Sequence, residues 1–173
     1  MFFKLTDEQI MIQTMAREFS RKVVALTAAE RDQTKEFPFE NLKKMGELGL
    51  MGMMVPFEYE GSGADTVSYV LALSEIAYSC ASTAVVMSVH NSIVCESLYR
   101  LGTEDQKERY LKPLAAGDII GAFAMTEPHA GSDPVRQSTT AVRKGNEYII
   151  NGTKRFTTCL LYTSDAADDA SSV

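Results

Sequence analysis

The sequence lacks the features that would place it in several common protein classes. Its three cysteines, Cys80, Cys95 and Cys159, are odd in number and widely spaced. They form neither a disulfide framework nor a metal-ligand pattern, and they favour a reducing compartment. No apolar run approaches the roughly 18 residues that span a bilayer. Lys and Arg number 17 against 23 Asp and Glu, so no basic surplus is available to neutralise nucleic-acid phosphates.

The N-terminus contains no basic segment followed by an apolar stretch. We therefore see no signal or transit peptide and expect a cytoplasmic location. A chain of this length can bury about 70% of its unfolded surface, which is enough for one domain and part of a second.

The first part of the chain carries helical patterns. Thr6 with Gln9 predicts a capping box at a helix start, and Thr103 with Gln106 predicts another. The first helix should present one apolar stripe, made of Ile12, Met15, Phe19, Val23 and Leu26. A helix from Pro38 should face inward through Phe39, Leu42, Met45 and Leu48. Two further helices, one capped by Asp65 or Thr66 and one beginning near Ser82, are apolar almost all round and should be buried on several sides.

The pattern changes from helix to strand at about Asp118. Runs 119–125, 138–143, 148–150 and 153–158 predict strands, with a turn at 144–146 and a hairpin turn at Asn151-Gly152. Helices followed by antiparallel strands predict an α+β fold. We expect an N-terminal all-α helical domain over 1–118 and the first strands of an antiparallel β domain over 119–158. Residues 159–173 are rich in Asp, Ala and Ser and are interpreted as a non-native or disordered tail.

The segment from Phe123 to Asp133 is the most suited to chemistry. A strand should end at Thr126 and break at Pro128, and the small residues 130–132 then expose backbone N–H groups and a hydroxyl. Such a loop can approach an anion closely, because Gly and Ala add no bulk. A cofactor with a flat ring and a pyrophosphate would suit this layout. On the residues alone, an ordinary turn is the alternative.

Four blocks of the sequence resemble the acyl-CoA dehydrogenase family. Met125-Thr126-Glu127-Pro128, followed by Gly131-Ser132-Asp133, resembles that family's flavin-site signature. The other blocks are 148–156, 5–9 and 49–61, so the resemblance runs in order over residues 3–158. It implies a parent protein that is helical, then β, then helical again, with FAD bound at the junction.

The resemblance implies roles for individual residues. The implied flavin contacts are Phe123, Met125, Thr126, Gly131, Ser132, Phe156 and Thr158. Ser132 would lie at the pyrophosphate and beside bound acyl-CoA, and Phe156 would pack on the flavin. His90 lies on a helix that lines the acyl pocket in the family, so it is a candidate substrate contact, with a purely structural role as the alternative. Arg136, Thr157 and Cys159 depart from the family pattern.

The reaction implied by the resemblance is FAD-dependent α,β-dehydrogenation of acyl-CoA thioesters, with short-chain members nearest. Electrons would pass to an electron-transfer flavoprotein, and the parent would be a homotetramer or homodimer. The family's general-base Glu belongs to a C-terminal helical domain, and no carboxylate here matches it, so residues 1–173 alone are expected to be inactive. The alternatives are an acyl-CoA oxidase or flavin monooxygenase of the same fold, and a non-catalytic helical interaction module.

Overall fold

The computed structural model describes residues 4–158 of a chain that divides into two compact units, Met1–Gly121 and Ala122–Val173. The first unit is helical. Its α-helices are α1 Asp7–Phe19, α2 Ala25–Thr34, α3 Phe39–Glu47, α4 Thr66–Ser79, α5 Ala81–Val89, α6 Glu96–Leu101, α7 Glu104–Gln106 and α8 Lys112–Ala116. The π-helical turns Ser20–Val24, His90–Cys95 and Lys107–Leu111 join neighbouring α-helices into longer rods, and Phe57–Tyr59 forms a 3₁₀ turn.

Both predicted capping boxes are present. Thr6 Oγ1 accepts the Gln9 N–H over 3.2 Å, and Gln9 Oε1 accepts the Thr6 N–H over 3.0 Å. Thr103 and Gln106 repeat the arrangement at the start of α7. Asp65 caps α4 by accepting the Ser68 N–H over 2.6 Å. These side chains satisfy backbone donors that the first turn of a helix leaves unpaired.

The apolar stripe predicted for the first helix is partly wrong. Phe19 is buried as expected, but Leu26 is 76% exposed. The buried line instead runs through the small residues Ala16 and Ser20 to Val24. The π turn at Ser20–Val24 adds a residue to one helical turn, which rotates the later positions away from the α1 stripe. Small residues also permit a close approach to α4, where Ser20 Oγ lies 2.6 Å from the Glu75 carbonyl oxygen.

The inward faces predicted for the other helices need similar corrections. In α3, Leu42 and Met45 are fully buried, whereas Phe39 and Leu48 are exposed. Phe39 is the first residue of a short helix and packs edge-on against Phe37, and Leu48 follows the last helical residue. On α4 and α5 the outer apolar residues remain on the surface of the unit, so burial on several sides is not found among the described residues. These exposed residues are Val67 and Val70 on α4 and Val85 on α5, and Ile93 in the π turn that follows α5 is also exposed.

The core of the helical unit combines apolar packing with one buried amide. Its largest fully buried apolar side chains are Leu42, Met45, Leu50, Met51, Ile76, Met87 and Leu111. Asn91 lies among them and joins α5 and its π turn to the 50–53 segment. Its Oδ1 accepts the Met53 N–H over 2.9 Å, and its Nδ2 donates to the carbonyls of Leu50 and Met87 over 3.0 Å. A buried amide with these partners costs little and fixes the register of the segment.

The second unit contains an antiparallel hairpin of β1 Thr140–Lys144 and β2 Glu147–Asn151, with Lys144 opposite Glu147. This confirms the strands predicted within 138–143 and 148–150 and the turn at 144–146. Gly145 supplies the positive φ of 66° that a two-residue hairpin turn needs. Pro134–Arg136 forms a 3₁₀ turn ahead of the hairpin.

The hairpin turn predicted at Asn151-Gly152 is wrong. Gly152 instead lies in close contact with Thr139, where a side chain would not fit, because an added Cβ would lie 2.1 Å from Thr139 Oγ1. The strands predicted over 119–125 and 153–158 are also wrong. Among the described residues, these two runs are paired by one isolated antiparallel bridge, between Phe123 and Thr158.

The predicted α+β class is confirmed, while the domain boundaries at 118 and 158 stay predictions. The tail from Cys159 lies outside the described residues. Among the helices at 4–158, none is both long enough and apolar enough to cross a membrane.

Candidate functional site

Two sequence blocks that are far apart in the chain lie side by side in the second unit. Phe123 forms an antiparallel bridge with Thr158. Arg155 donates its backbone N–H to the Thr126 carbonyl over 2.8 Å. The stretch 123–126 therefore runs beside 155–158, and it brings together most of the residues for which the sequence predicted a flavin role.

A tight turn follows this pairing. Glu127 and Ala130 exchange two backbone hydrogen bonds, each of 3.1 Å, around Pro128 and His129. Ala130 is buried, whereas Pro128 and His129 are exposed. The chain leaves the turn through Gly131 and Ser132, and Asp133 Oδ1 accepts the Val135 N–H over 3.2 Å to start the 3₁₀ turn. The loop is thus held at both ends, with Gly131 and Ser132 exposed between them.

Glu127 is the anchor of this loop and is only 3% exposed. Its Oε2 accepts the Ser138 N–H over 2.6 Å and the Ser138 hydroxyl over 2.8 Å. Its Oε1 accepts the Thr139 N–H over 3.1 Å and the Lys154 ammonium over 2.9 Å, and it also bonds the Thr139 hydroxyl. The Thr139 hydroxyl, followed by the Ser138 amide and Lys154, holds the pKa of Glu127 far below its usual range.

The carbonyl of Met125 is fixed in the same network. It accepts Gln137 Nε2 over 2.8 Å and Lys154 Nζ over 3.1 Å. Sequence reasoning placed Glu127 in the loop without assigning it this role. The signal that could have pointed to it is a carboxylate within an uncharged stretch, followed closely by the hydroxyl residues Ser138, Thr139 and Thr140.

The apolar residues with a predicted flavin role are uncovered. Phe123 and Met125 are exposed, and Phe156 is 88% exposed. Phe156 also has φ 56°, in the left-handed region that an aromatic residue rarely adopts. Such a conformation costs about 1 kcal/mol or more and persists only when neighbouring contacts impose it. Here the bonds at Lys154 and Arg155 on one side and the bridge at Thr158 on the other impose it.

The polar residues with a predicted flavin role have free donors. Within residues 4–158, the hydroxyls of Thr126, Ser132 and Thr158 have no hydrogen-bond partner. A Cβ added to Gly131 would meet nothing within 4 Å, and the φ of Gly131 is not in the left-handed region, so no contact or strain inside the chain requires a glycine here. Neutral hydroxyls, backbone N–H groups and an uncrowded glycine form a donor set that fits a pyrophosphate and the polar edge of a flat ring.

His90 lies in the helical unit and is fully buried. Its Nε2 lies 2.9 Å from the Leu114 carbonyl, and its Nδ1 accepts the Gly121 N–H over 3.1 Å. Burial lowers its pKa, opposed by the bond to Leu114. With both ring nitrogens engaged, His90 has no polar atom to offer a substrate. The geometry therefore favours the structural alternative over the predicted substrate contact.

Two family models match the chain. Residues 6–118 match the N-terminal domain of acyl-CoA dehydrogenase, and residues 122–162 match the middle domain of acyl-CoA dehydrogenase. The chain belongs to the acyl-CoA dehydrogenase family.

Curated relatives resemble the chain over most of its length. An acyl-CoA dehydrogenase of Bacillus subtilis (strain 168) is 48% identical over 154 residues, which cover 89% of this chain and 41% of the relative. A short-chain specific acyl-CoA dehydrogenase of Clostridium acetobutylicum is 47% identical over 158 residues, which cover 91% of this chain and 42% of the relative. The chain thus spans about two fifths of the length of these relatives.

Solved structures share the fold. Butyryl-CoA dehydrogenase from Megasphaera elsdenii has a TM-score of 0.85 at 37% identity, covering 91% of this chain and 42% of its own. A chain from a structure described as the electron transferring flavoprotein of Acidaminococcus fermentans has a TM-score of 0.88 at 44% identity, with 91% and 41% covered. A glutaryl-CoA dehydrogenase from Mycobacterium smegmatis in complex with FADH2 has a TM-score of 0.84 at 35% identity, with 88% and 39% covered.

Proposed function

We propose that this chain supplies part of the FAD site of an acyl-CoA dehydrogenase that acts on short-chain acyl-CoA thioesters. The observation that supports this most is the pairing of 123–126 with 155–158, which gathers uncovered aromatic rings and unpartnered hydroxyls at one place. The short-chain preference follows the relatives described as short-chain specific and butyryl-CoA dehydrogenases. In this proposal, residues 119–158 begin the flavin-binding β domain and residues 1–118 form the N-terminal helical domain.

In this proposal, different residues contact different parts of FAD. Phe156 would lie against the ring, and Thr126 and Thr158 would donate to its polar edge. Ser132 and the backbone at Gly131 would hold the pyrophosphate and adjoin the acyl-CoA. FAD, when bound, supplies the acceptor for the hydride that leaves the β-carbon. Each neutral hydrogen bond contributes about 1 kcal/mol net, so affinity has to come from several of these contacts together.

Glu127 is not a suitable general base, although it is a carboxylate within the 123–133 loop of the proposed flavin site. Two hydroxyls, two backbone N–H groups and Lys154 occupy its lone pairs, and its pKa is far below the usual range. A base that removes the α-proton needs an accessible lone pair and a higher pKa. We propose that the base lies in a part of the whole protein that residues 4–158 do not include.

The partners of the whole protein follow from the same proposal. We propose an electron-transfer flavoprotein as the electron acceptor, on the basis of the similarity to a chain from the electron transferring flavoprotein structure of Acidaminococcus fermentans. We also propose a homotetrameric or homodimeric assembly, which the family resemblance implies. Sedimentation of the purified protein, alone and with such a flavoprotein, measures both.

The experiment is to purify the protein encoded by the whole reading frame that contains this sequence. We expect yellow flavin absorbance, release of FAD on denaturation, and enoyl-CoA formation from butyryl-CoA with a dye as electron acceptor. Thr126→Val should weaken FAD binding about tenfold, since it removes one donor at the ring edge. Thr140→Val, on the exposed β1 strand, is the matched control and should bind FAD normally. A colourless protein that gains no FAD on reconstitution would refute the proposal and favour the interaction-module alternative.

A further inference from the structure

Glu127 connects three separate parts of the second unit at one point. The first is its own loop, 123–133. The second is the segment before β1, through the amides and hydroxyls of Ser138 and Thr139. The third is the segment after β2, through Lys154. Because one carboxylate, carried by the loop, accepts from both other segments, the relative positions of the three parts depend on it.

The chemistry of this point requires a carboxylate rather than an amide. Five donors converge on two oxygens, which fills the roughly four lone-pair sites of an ionised carboxylate and leaves none of them free. A glutamine at this position would turn its NH2 group toward N–H and O–H donors on one side. A buried charge-assisted network of this kind loses the most when one member cannot pair. Lys154 neutralises the charge, which lowers the cost of burying Glu127.

The same network controls the backbone that would face a flavin. Lys154 Nζ donates both to Glu127 and to the Met125 carbonyl. The next residue, Arg155, bonds the Thr126 carbonyl. The Glu127–Lys154 ion pair thus fixes the backbone next to Thr126 on one stretch and next to Phe156 on the other. Neither the Thr126 side chain nor the Phe156 side chain forms a hydrogen bond with Glu127.

We propose that Glu127 is a positioning residue for the cofactor, acting through Lys154 and Met125 to hold the 123–126 and 155–158 stretches in the arrangement that binds the flavin ring. This inference rests on the proposed FAD site. It assigns Glu127 neither a contact with FAD nor a proton transfer.

The test compares Glu127→Gln with Glu147→Gln in the whole protein. Glu147 is an exposed carboxylate at the start of β2 in the same unit, so the second variant makes the same charge change away from the network. FAD affinity is measured by fluorescence titration of the flavin-free protein, and the visible spectrum of the bound flavin is recorded. We expect Glu127→Gln to weaken FAD binding about 10- to 100-fold and to change the shape of the flavin absorbance, with Glu147→Gln unchanged.

A second variant and a second measurement separate positioning from general stability. Glu127→Asp keeps the charge and should recover part of the affinity that Glu127→Gln loses. Amide exchange in the flavin-free protein should show faster exchange at Arg155 in Glu127→Gln, with the helical unit unchanged.

The possible outcomes lead to different conclusions. If the unmodified protein binds no FAD, both the proposed function and this inference are wrong. If the unmodified protein binds FAD and Glu127→Gln retains normal FAD affinity and a normal flavin spectrum, this inference alone is wrong. It is also wrong if Glu127→Gln lowers only the thermal stability of the protein, with FAD affinity and the flavin spectrum unchanged.

Discussion

Gly121 donates its backbone N–H to Nδ1 of His90 over 3.1 Å, and Nε2 of the same ring bonds the Leu114 carbonyl. The ring is therefore neutral, with its hydrogen on Nε2. Protonation would turn Nδ1 into a donor that faces another donor. Burial lowers the pKa of His90, so the unfolded chain takes up a proton at a higher pH than the folded chain does. We expect the contribution of His90 to the free energy of unfolding to be fully present above about pH 6.5. Below that pH the free energy of unfolding should decrease by at most about 1.4 kcal/mol per pH unit.

Urea unfolding at a series of pH values checks this expectation. His90→Leu removes the titration and leaves the Gly121 N–H and Leu114 carbonyl unpaired, so it should cost about 2 to 5 kcal/mol at pH 8. Its stability should then depend less on pH between 7 and 5.5 than that of the unmodified chain. Equal slopes for the two proteins would contradict a role for His90 in the pH dependence.

Gly46 lies within α3 where that helix meets the end of α8. A Cβ added there would lie 2.6 Å from the Ala116 carbonyl oxygen. Helix propensity alone would make Gly46→Ala stabilising by about 1 kcal/mol. Overpacking against backbone costs about 1 to 3 kcal/mol, so we expect a net loss of stability. Lys43→Ala, on the exposed side of α3, is the control and should change stability by less than about 0.5 kcal/mol. A more stable Gly46→Ala protein in denaturant unfolding would contradict the close contact between α3 and α8.

Gly131 offers a contrast, because nothing in the chain lies within 4 Å of an added Cβ. We expect Gly131→Ala to leave the unfolding free energy within about 0.5 kcal/mol of its original value. The same variant should weaken FAD binding about tenfold, because the methyl group would occupy the space through which the pyrophosphate approaches the backbone. Calorimetry and FAD titration of the same sample measure the two effects.

Gly145 is the matched control for Gly131. It has equally open surroundings but a φ of 66°. Gly145→Ala should lower stability by about 1 kcal/mol through backbone strain, with FAD affinity unchanged. If Gly131→Ala leaves FAD affinity intact, the loop does not hold the pyrophosphate.

Cys95 is fully buried, and burial raises its pKa to about 12. At pH 8 only about one molecule in ten thousand would carry the reactive thiolate. We expect iodoacetamide to leave Cys95 unmodified in the folded protein while it alkylates the partly exposed Cys80. Peptide mass mapping with and without urea checks this, since Cys95 should react once the chain unfolds. Labelling of Cys95 in the folded protein at the rate of Cys80 would show that the buried side chains around Cys95, such as Leu111 and Leu114, open to solvent.

Helix starts could be predicted from the sequence because their causes are local. Thr6, Asp65 and Thr103 each accept a backbone N–H from three residues ahead, as their patterns indicated. The buried faces were harder to predict. A period of 3.6 residues does not anticipate the π turn at Ser20–Val24, nor the preference for small residues where α1 approaches α4.

The candidate site shows the same division between local and distant causes. The resemblance to a family is the source of the proposed cofactor roles, which stay predictions, and the hairpin strands were predicted from the β-leaning runs on either side of the turn at 144–146. The bridge from Phe123 to Thr158 joins residues more than thirty positions apart, and no local pattern predicts it. The five bonds to Glu127 were missed for that reason, because their donors come from positions 138, 139 and 154.

The β1-β2 ribbon has every residue exposed on both faces. Two strands without a covered face gain almost nothing from the hydrophobic effect, and in water such a ribbon is at best marginally stable. A protease added to the purified chain should therefore cut first around Gly145 and leave the helical unit as a resistant core. Storage conditions matter for the same reason, since exposed Val142, Tyr148 and Ile150 offer a surface on which another extended chain can align and start aggregation.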